Sequence, residues 1–372
     1  MTLIAAFHPG GKYLTLMSDV LISSREEADS IVLPTRGYIS PEQERRMPMR
    51  PVALRRKVIQ INRKFVILWS GNLLCAEKLA RRAREWFSKF VITKDGLDQF
   101  LSTYYNEPAD ISAFFVWYGG CAHFGHPPYI RGETKHYGKY LAAGSGRERF
   151  AELINGSQGQ LGKLTMAEDL PEIHALNLCS EFLAREIYLN ETILSQFGGG
   201  FELLVPGPEG YQCVDDIMHI FVTKRVDDPS DTRPYPHVIR QWYEGDRLYI
   251  NSMSSQEAEA AGHGRLLYCI RDILSERHES SLLESLPLRP NYVCIHHGFL
   301  DKTGTLPVVL VLKKENIDRA ITFTPTNSGL TYVSLLSMTP KFVEFPIQFA
   351  PANRADSSVG KWTVREGFAV SP

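Results

Sequence analysis

The chain has 372 residues, 44% of them hydrophobic and 22% charged, and its Lys+Arg 41 against Asp+Glu 42 leave a net charge of −1. Such a balance argues against bulk nucleic-acid or anionic-membrane binding, where a strongly basic face is expected. No apolar run approaches the roughly 18–20 residues of a membrane span, and six cysteines without Cys-x-x-Cys spacing suit reduced thiols, so a cytoplasmic protein is expected.

In chain order, the apolar runs 3–7 and 13–17 flank Pro9-Gly10-Gly11 and predict a β-hairpin with no leader ahead of it. Asp19 ends its second strand. Residues 25–56 form a long insertion carrying Pro34, Pro41, Pro48 and Pro51, with only scattered apolar residues. A loop of this length inside a domain is functional or disordered. It reads as a lid or docking arm ordered only on binding, its Arg45-Arg46 and Arg55-Arg56 pairs favouring acidic substrates or partners, or else as a plain surface loop. Strands are expected from Lys57 to Asn62 and from Phe65 to Ser70, then a one-faced helix over 73–91 and a second over 97–105.

The near-continuous apolar run 111–118 predicts a strand covered on both faces. After turn-rich 119–127 come short strands at 129–130 and 139–143, helices at 147–154 and 171–194, and strands at 201–205, 211–214 and 217–222. This order fits an α+β, four-layer α-β-β-α sandwich over residues 1–226. The polar, Pro-rich 227–236 stretch marks the boundary to a β-rich domain over 237–372. Its strands are expected at 238–243, 247–253, 292–296, 308–312, 320–323 and 332–336, with a helix over 256–276.

Thr2 is the first candidate for chemistry. It is small enough for the preceding Met to be removed, which would leave a threonine whose α-amine, with a pKa of about 7.7–8.0, lies beside its own hydroxyl. The alternative is a β-forming residue at the start of a strand. Cys121-Ala122-His123 with His126, and Cys294 with His296 and His297, lack the repeated spacing of a zinc site, and no Gly-rich phosphate loop is present. Neither a metal nor a cofactor is expected.

The ordered set of Thr2, a Gly turn, Ser18-Asp19, Lys57-Val58-Ile59-Gln60-Ile61, an apolar strand ending Ser70-Gly71, Ala142-Ala143-Gly144-Ser145-Gly146 and Gly198-Gly199-Gly200-Phe201-Glu202 resembles the proteasome β-type subunits and their bacterial proteasome-like relatives. These are N-terminal-nucleophile hydrolases. The resemblance covers residues 2 to about 225. It implies a threonine-type peptidase or amidohydrolase, active after removal of Met1, with Lys57 as the cation that lowers the amine pKa, Asp19 as its orienting acid, Ser145 as proton relay and the backbone N–H of Leu68 in the oxyanion hole. It further implies a peptide or protein substrate, a homo-oligomer, and an unfoldase ATPase or another protein as partner. The chain departs from the pattern where Leu68 replaces the family's glycine, where Ser195-Gln196-Phe197 precedes Gly198-Gly199 in place of Asp-Ser-x-Ser, and in a hairpin one residue longer. A catalytically inactive scaffold or recognition module is the second reading.

Overall fold

Short strands, rather than long helices, dominate the architecture, which is mixed α+β with mainly antiparallel sheets. The computed structural model describes residues 2–9, 13–25, 31–35, 42, 45, 47–90, 92–103, 110–126, 129–135, 137–156, 171–189, 191–225, 235–254, 265–274, 289–300, 308–317, 321–325, 331–335, 343–347 and 363–366. Over these the chain divides into two units. One comprises residues up to Val214 together with 270–274, the other 215–269 and 289–366.

The first unit holds β1 (Leu3–Phe7), β2 (Thr15–Asp19), β3 (Leu21–Ser24), β4 (Arg50–Leu54), β5 (Val58–Asn62), β6 (Phe65–Gly71), β7 (Ile111–Trp117), β8 (Gly120–Gly125), β9 (Ile130–Thr134), β10 (Gly138–Gly144), β11 (Phe201–Gly207) and β12 (Gly210–Cys213). Its helices are α1 (Leu73–Phe87), α2 (Lys94–Ser102), α3 (Arg147–Gly156), α4 (Pro171–Leu189) and α5 (Glu191–Leu194). A six-stranded sheet runs β12-β11-β2-β1-β10-β9, a four-stranded one β5-β6-β7-β8, and β3 pairs β4.

Strands buried on both faces need two separate partners. Ile4, Ala6, Leu16 and Ala143 of the six-stranded sheet share one cluster with Val58, Val66, Leu68 and Phe114 of the four-stranded sheet. The alternate residues turn the other way: Phe7 packs on Phe150 of α3, and Phe182 of α4 stacks on Phe150 and Phe201. On the four-stranded sheet, Phe65, Ile67, Trp69 and Phe115 meet Leu79, Ala80, Ala83 and Phe87 of α1 and Leu97 and Phe100 of α2. Each such side chain contributes about 1.5–3 kcal/mol by leaving water, which is what holds the helices on.

α1 starts where Asn72 accepts the N–H groups of Leu74 and Cys75, and it stops at Phe87 rather than running to 91. Phe90, inside the expected helix span, is 54% exposed. α2 begins three residues before its expected start because Thr93 caps it through Gly96, and the 171–194 pattern splits into α4 and α5. The 25–56 segment differs most from expectation. Its end is β4, Ile31 N–H donates to the Pro51 carbonyl at 3.0 Å, and Leu33 and Thr35 are buried, so these residues are built into the unit rather than added to it. Residues 270–274 belong to the same unit: the Arg56 N–H donates to the Arg271 carbonyl at 3.1 Å, and Leu274 packs in the cluster under α1.

The second unit has β13 (Ile217–Arg225), β14 (Tyr235–Glu244), β15 (Arg247–Ser254), β16 (Arg265–Arg271), β17 (Tyr292–Leu300), β18 (Val308–Lys313), β19 (Ile321–Pro325), β20 (Thr331–Leu335), β21 (Val343–Ile347) and β22 (Thr363–Glu366), with a short α6 (Lys314–Ile317). Seven strands form one sheet, β18-β17-β13-β14-β15-β16-β22, and β19-β20-β21 another. The expected helix over 256–276 is corrected here, since 265–271 is the strand β16. Its run Leu266-Leu267-Tyr268-Cys269-Ile270 is apolar without interruption, a pattern that buried helix and buried strand share. Pairing decides it: Leu267 and Cys269 pack against Trp242 and Tyr249. Residues 256–264 and 275–276 of that span lie outside the described residues, as do 227–234 of the expected 227–236 boundary, whose last two residues open β14.

No helix among the described residues is long and apolar enough to cross a membrane.

Candidate active site

Strand register assembles the site. β1 and β2 pair with Ile4 opposite Ser18, which sets Thr2, just ahead of β1, beside Asp19 at the end of β2. β1 also pairs β10 with Leu3 opposite Gly144, which brings Ser145 to Thr2 from the other side. Phe201 opposite Asp19 delivers the Gly198–Gly200 turn, and Lys57 arrives from the head of β5 in the other sheet.

The Thr2 hydroxyl donates to Asp19 Oδ1 at 2.5 Å, and Lys57 Nζ donates to the same oxygen at 2.8 Å and to the Leu21 carbonyl at 2.5 Å. Asp19 also accepts the N–H groups of Leu3 (2.9 Å) on Oδ1 and of Leu21 (3.3 Å) and Gly198 (2.8 Å) on Oδ2. Thr2, Asp19 and Lys57 are each 0% exposed. Burial pulls the Lys57 ammonium below its usual range, against the opposing pull of Asp19 and Glu202.

Thr2 is held from behind as well. Its N–H donates to Ser145 Oγ at 3.0 Å, and its carbonyl accepts the N–H of Gly146 at 3.1 Å. Ser145 Oγ lies within hydrogen-bond distance of the carbonyls of Thr2 (3.3 Å) and Gln196 (3.1 Å). Gly144 has φ +89, and a Cβ there would run into the Thr2 carbonyl, so this approach needs glycine. Leu68 sits mid-strand in β6, opposite Val58 on one side and Phe114 on the other, with its side chain buried between the sheets. A cavity of about 1040 Å³ opens at the far end of β1, lined by residues including His8, Tyr13, Tyr118, Arg131 and Lys139, and is separate from the Thr2 cluster.

Neither a protein-family model nor a curated protein matches the chain.

Several residues with a part in this cluster carry no role in the sequence reading. Glu202 accepts the Lys57 N–H at 3.0 Å, Arg56 Nε at 2.6 Å and the Ser18 hydroxyl at 3.4 Å, so it fixes the backbone from which Lys57 reaches Asp19. Its signal was available, a lone carboxylate in the otherwise apolar strand Phe201-Glu202-Leu203-Leu204. Glu186 interrupts the apolar face of α4 three residues after Leu183 and is wholly buried. Gln196 adopts φ +63, and its buried side-chain amide has no hydrogen-bond partner among the described residues.

Within the described residues no group of three or more His, Cys, Asp or Glu side chains is placed to hold a metal ion. The cluster can hold and move protons: a hydroxyl and a lysine share one carboxylate oxygen, and a second hydroxyl faces the nitrogen of the residue that bears the first.

Proposed function

We propose that the chain is a threonine-type N-terminal-nucleophile amidohydrolase or peptidase, and that its first unit is an α-β-β-α sandwich of the proteasome type. The observation that carries this reading is the convergence of Thr2 Oγ1 and Lys57 Nζ on Asp19 Oδ1, with Ser145 Oγ on the Thr2 nitrogen. Removal of Met1 turns that nitrogen into an amine able to take the proton of the neighbouring hydroxyl. Lys57 then sets the field at the hydroxyl and Asp19 fixes the lysine. Ser145, touching both the nitrogen and the Thr2 carbonyl, passes the proton on toward the leaving group. Peptide or amide bonds are the substrate class.

The energetics support a working site over an ornament of the fold. Lys57, Arg56, Asp19 and Glu202 are buried together. Buried ion clusters are commonly no more stable than apolar residues of the same volume, so structure alone gives little reason to keep one. The second reading, a silent scaffold, draws on the complete burial of Thr2 and on Leu68 where the resemblance calls for glycine.

Intact-mass analysis of the native protein separates the two readings, since the first requires Met1 to be absent. With Met1 removed, the purified chain should hydrolyse a peptide or amide bond, and Thr2→Ala should reduce turnover to background, because members of a catalytic unit fail together. Wild-type turnover in Thr2→Ala would refute the mechanism.

A further inference from the structure

Behind Asp19 lies a second buried carboxylate that the reaction described above does not use. Glu186 Oε1 accepts the Gly199 N–H at 2.9 Å and the Thr35 hydroxyl, and its Oε2 accepts the Thr192 hydroxyl at 2.7 Å. One residue earlier in the same turn, the Gly198 N–H donates to Asp19. Two consecutive amides are thus divided between two carboxylates, one in the site and one behind it.

The turn between them has little rigidity of its own. Gly198, Gly199 and Gly200 have φ values of +126, +74 and +128, a run that glycine adopts at low cost but also leaves easily. The Val20 N–H crosses to the carbonyls of Gly198 and Gly200 at 3.3 and 3.2 Å, so the turn is tied to the residue that follows Asp19. A Cβ at Gly198 would strike the Glu186 carboxylate, which shows how closely that group is packed under the turn.

We propose that Glu186 is a positioning residue: it clamps the 198–200 turn so that the Gly198 N–H stays on Asp19 Oδ2, leaving Oδ1 to Thr2, Lys57 and the Leu3 N–H, and through Thr35 it makes the 31–35 segment part of the support of the site. Its catalytic meaning rests on the threonine-nucleophile reading; the clamp itself does not. Burial pushes the Glu186 carboxyl up to about 7, against the Thr35, Thr192 and Gly199 donors that favour its charged form, and the negative charge of Asp19 pushes it the same way as burial. Among the described residues, Asp19 on β2 is the charged group that acts on it. Thr35, Thr192, Gly199 and the Ile193 side chain around it are neutral, and Arg185, its neighbour on α4, is engaged by Glu191 at 2.8 Å and Glu181 at 3.3 Å. The clamp therefore tightens as pH rises through about 7, because a carboxylate accepts hydrogen bonds more strongly than a neutral carboxyl.

The test uses the full chain labelled with ¹⁵N-glycine and titrated from about pH 5.5 to 8.5. The Gly198 and Gly199 amide resonances should move together with a midpoint near 7. Glu186→Gln keeps an acceptor for Gly199 but cannot ionise, so the step should vanish at both glycines. Thr35→Val removes a donor to the charged form and should raise the midpoint. In parallel, the rate of Thr2 acylation by an electrophilic amide-mimicking probe should lose its inflection near 7 in Glu186→Gln. Glu186→Ala should slow it by up to about 10²-fold, the scale of a misplaced reacting group. A wild-type chain with unreactive Thr2, but with a glycine step that Glu186→Gln removes, supports the clamp and overturns only the nucleophile. A Gly198 titration unchanged in Glu186→Gln, or a midpoint unmoved by Thr35→Val, overturns the proposal.

Discussion

Lys57→Met is the most informative perturbation of the buried cluster. It removes the Nζ contacts to Asp19 Oδ1 at 2.8 Å and to the Leu21 carbonyl at 2.5 Å, in a place where both charged side chains are 0% exposed. Breaking one side of a buried pair costs about 3–5 kcal/mol. Asp19 keeps four donors, the Thr2 hydroxyl and the N–H groups of Leu3, Leu21 and Gly198, so the low end applies, about 3 kcal/mol. Asp19→Asn strands the lysine instead. Burial already disfavours its charged form, so it gives up its proton rather than remain unpaired, again at a cost of about 3 kcal/mol. The double variant Lys57→Met/Asp19→Asn carries no charge at either position and should cost about 4 kcal/mol, which leaves a coupling of about 2 kcal/mol. Native-state hydrogen exchange at the Ala5 and Met17 amides, on paired positions of β1 and β2, reads these free energies within the first unit. Additivity within about 0.5 kcal/mol would mean that the pair is not an energetic unit and that Lys57 is not held there by Asp19.

Leu33→Ala should destabilise the first unit by about 2–5 kcal/mol in urea unfolding, since Leu33 is 0% exposed; no change would return the 31–35 segment to the status of an added arm. Glu186 has a folded-state pKa of about 7 against an ordinary 4.5, so its contribution is complete below pH 4.5 and is lost as pH rises through 7. That amounts to about 3 kcal/mol between acid and pH 8, and Glu186→Gln should flatten this part of the stability–pH curve; an identical slope in the variant would refute the assignment. Gln196→Gly relieves a φ of +63 and removes a buried amide without a partner among the described residues, so thermal unfolding should show a gain of about 1 kcal/mol; a loss would mean that the side chain contributes packing that outweighs both terms.

Thr2 is legible from its place after Met1, whereas Asp19, Lys57 and Ser145 come from the resemblance to proteasome-type chains, whose landmarks stand at strand ends and helix starts that the hydrophobic pattern helps to locate. The structure brings all four into one hydrogen-bonded group. Leu68 lies inside a strand, and the pattern that finds β6 says nothing about which of its amides faces a neighbour. Glu186 and Glu202 were passed over because their partners come from far along the chain: Thr35 is 151 residues from Glu186, and Arg56 is 146 from Glu202. β4 was hidden by Pro51 and by a bulge against β3 between Ile22 and Ser23, both of which break the period-two signal. β16 failed for the opposite reason, an apolar run with no period at all.

The first unit is not a contiguous piece of chain. Its Arg56 N–H, one residue from the buried lysine, is satisfied by the carbonyl of Arg271, and most of the second unit's large sheet lies in sequence before or after that segment. A ribosome therefore delivers Thr2 some 270 residues before the Arg271 carbonyl, with β13, β14 and β15 emerging in between. Through most of synthesis the Arg56 N–H lacks this acceptor, so the backbone beside Lys57 should settle late, after residue 271 has cleared the exit tunnel. A fragment ending at Val214 would carry all four candidate catalytic residues and still leave the amide beside Lys57 without its acceptor.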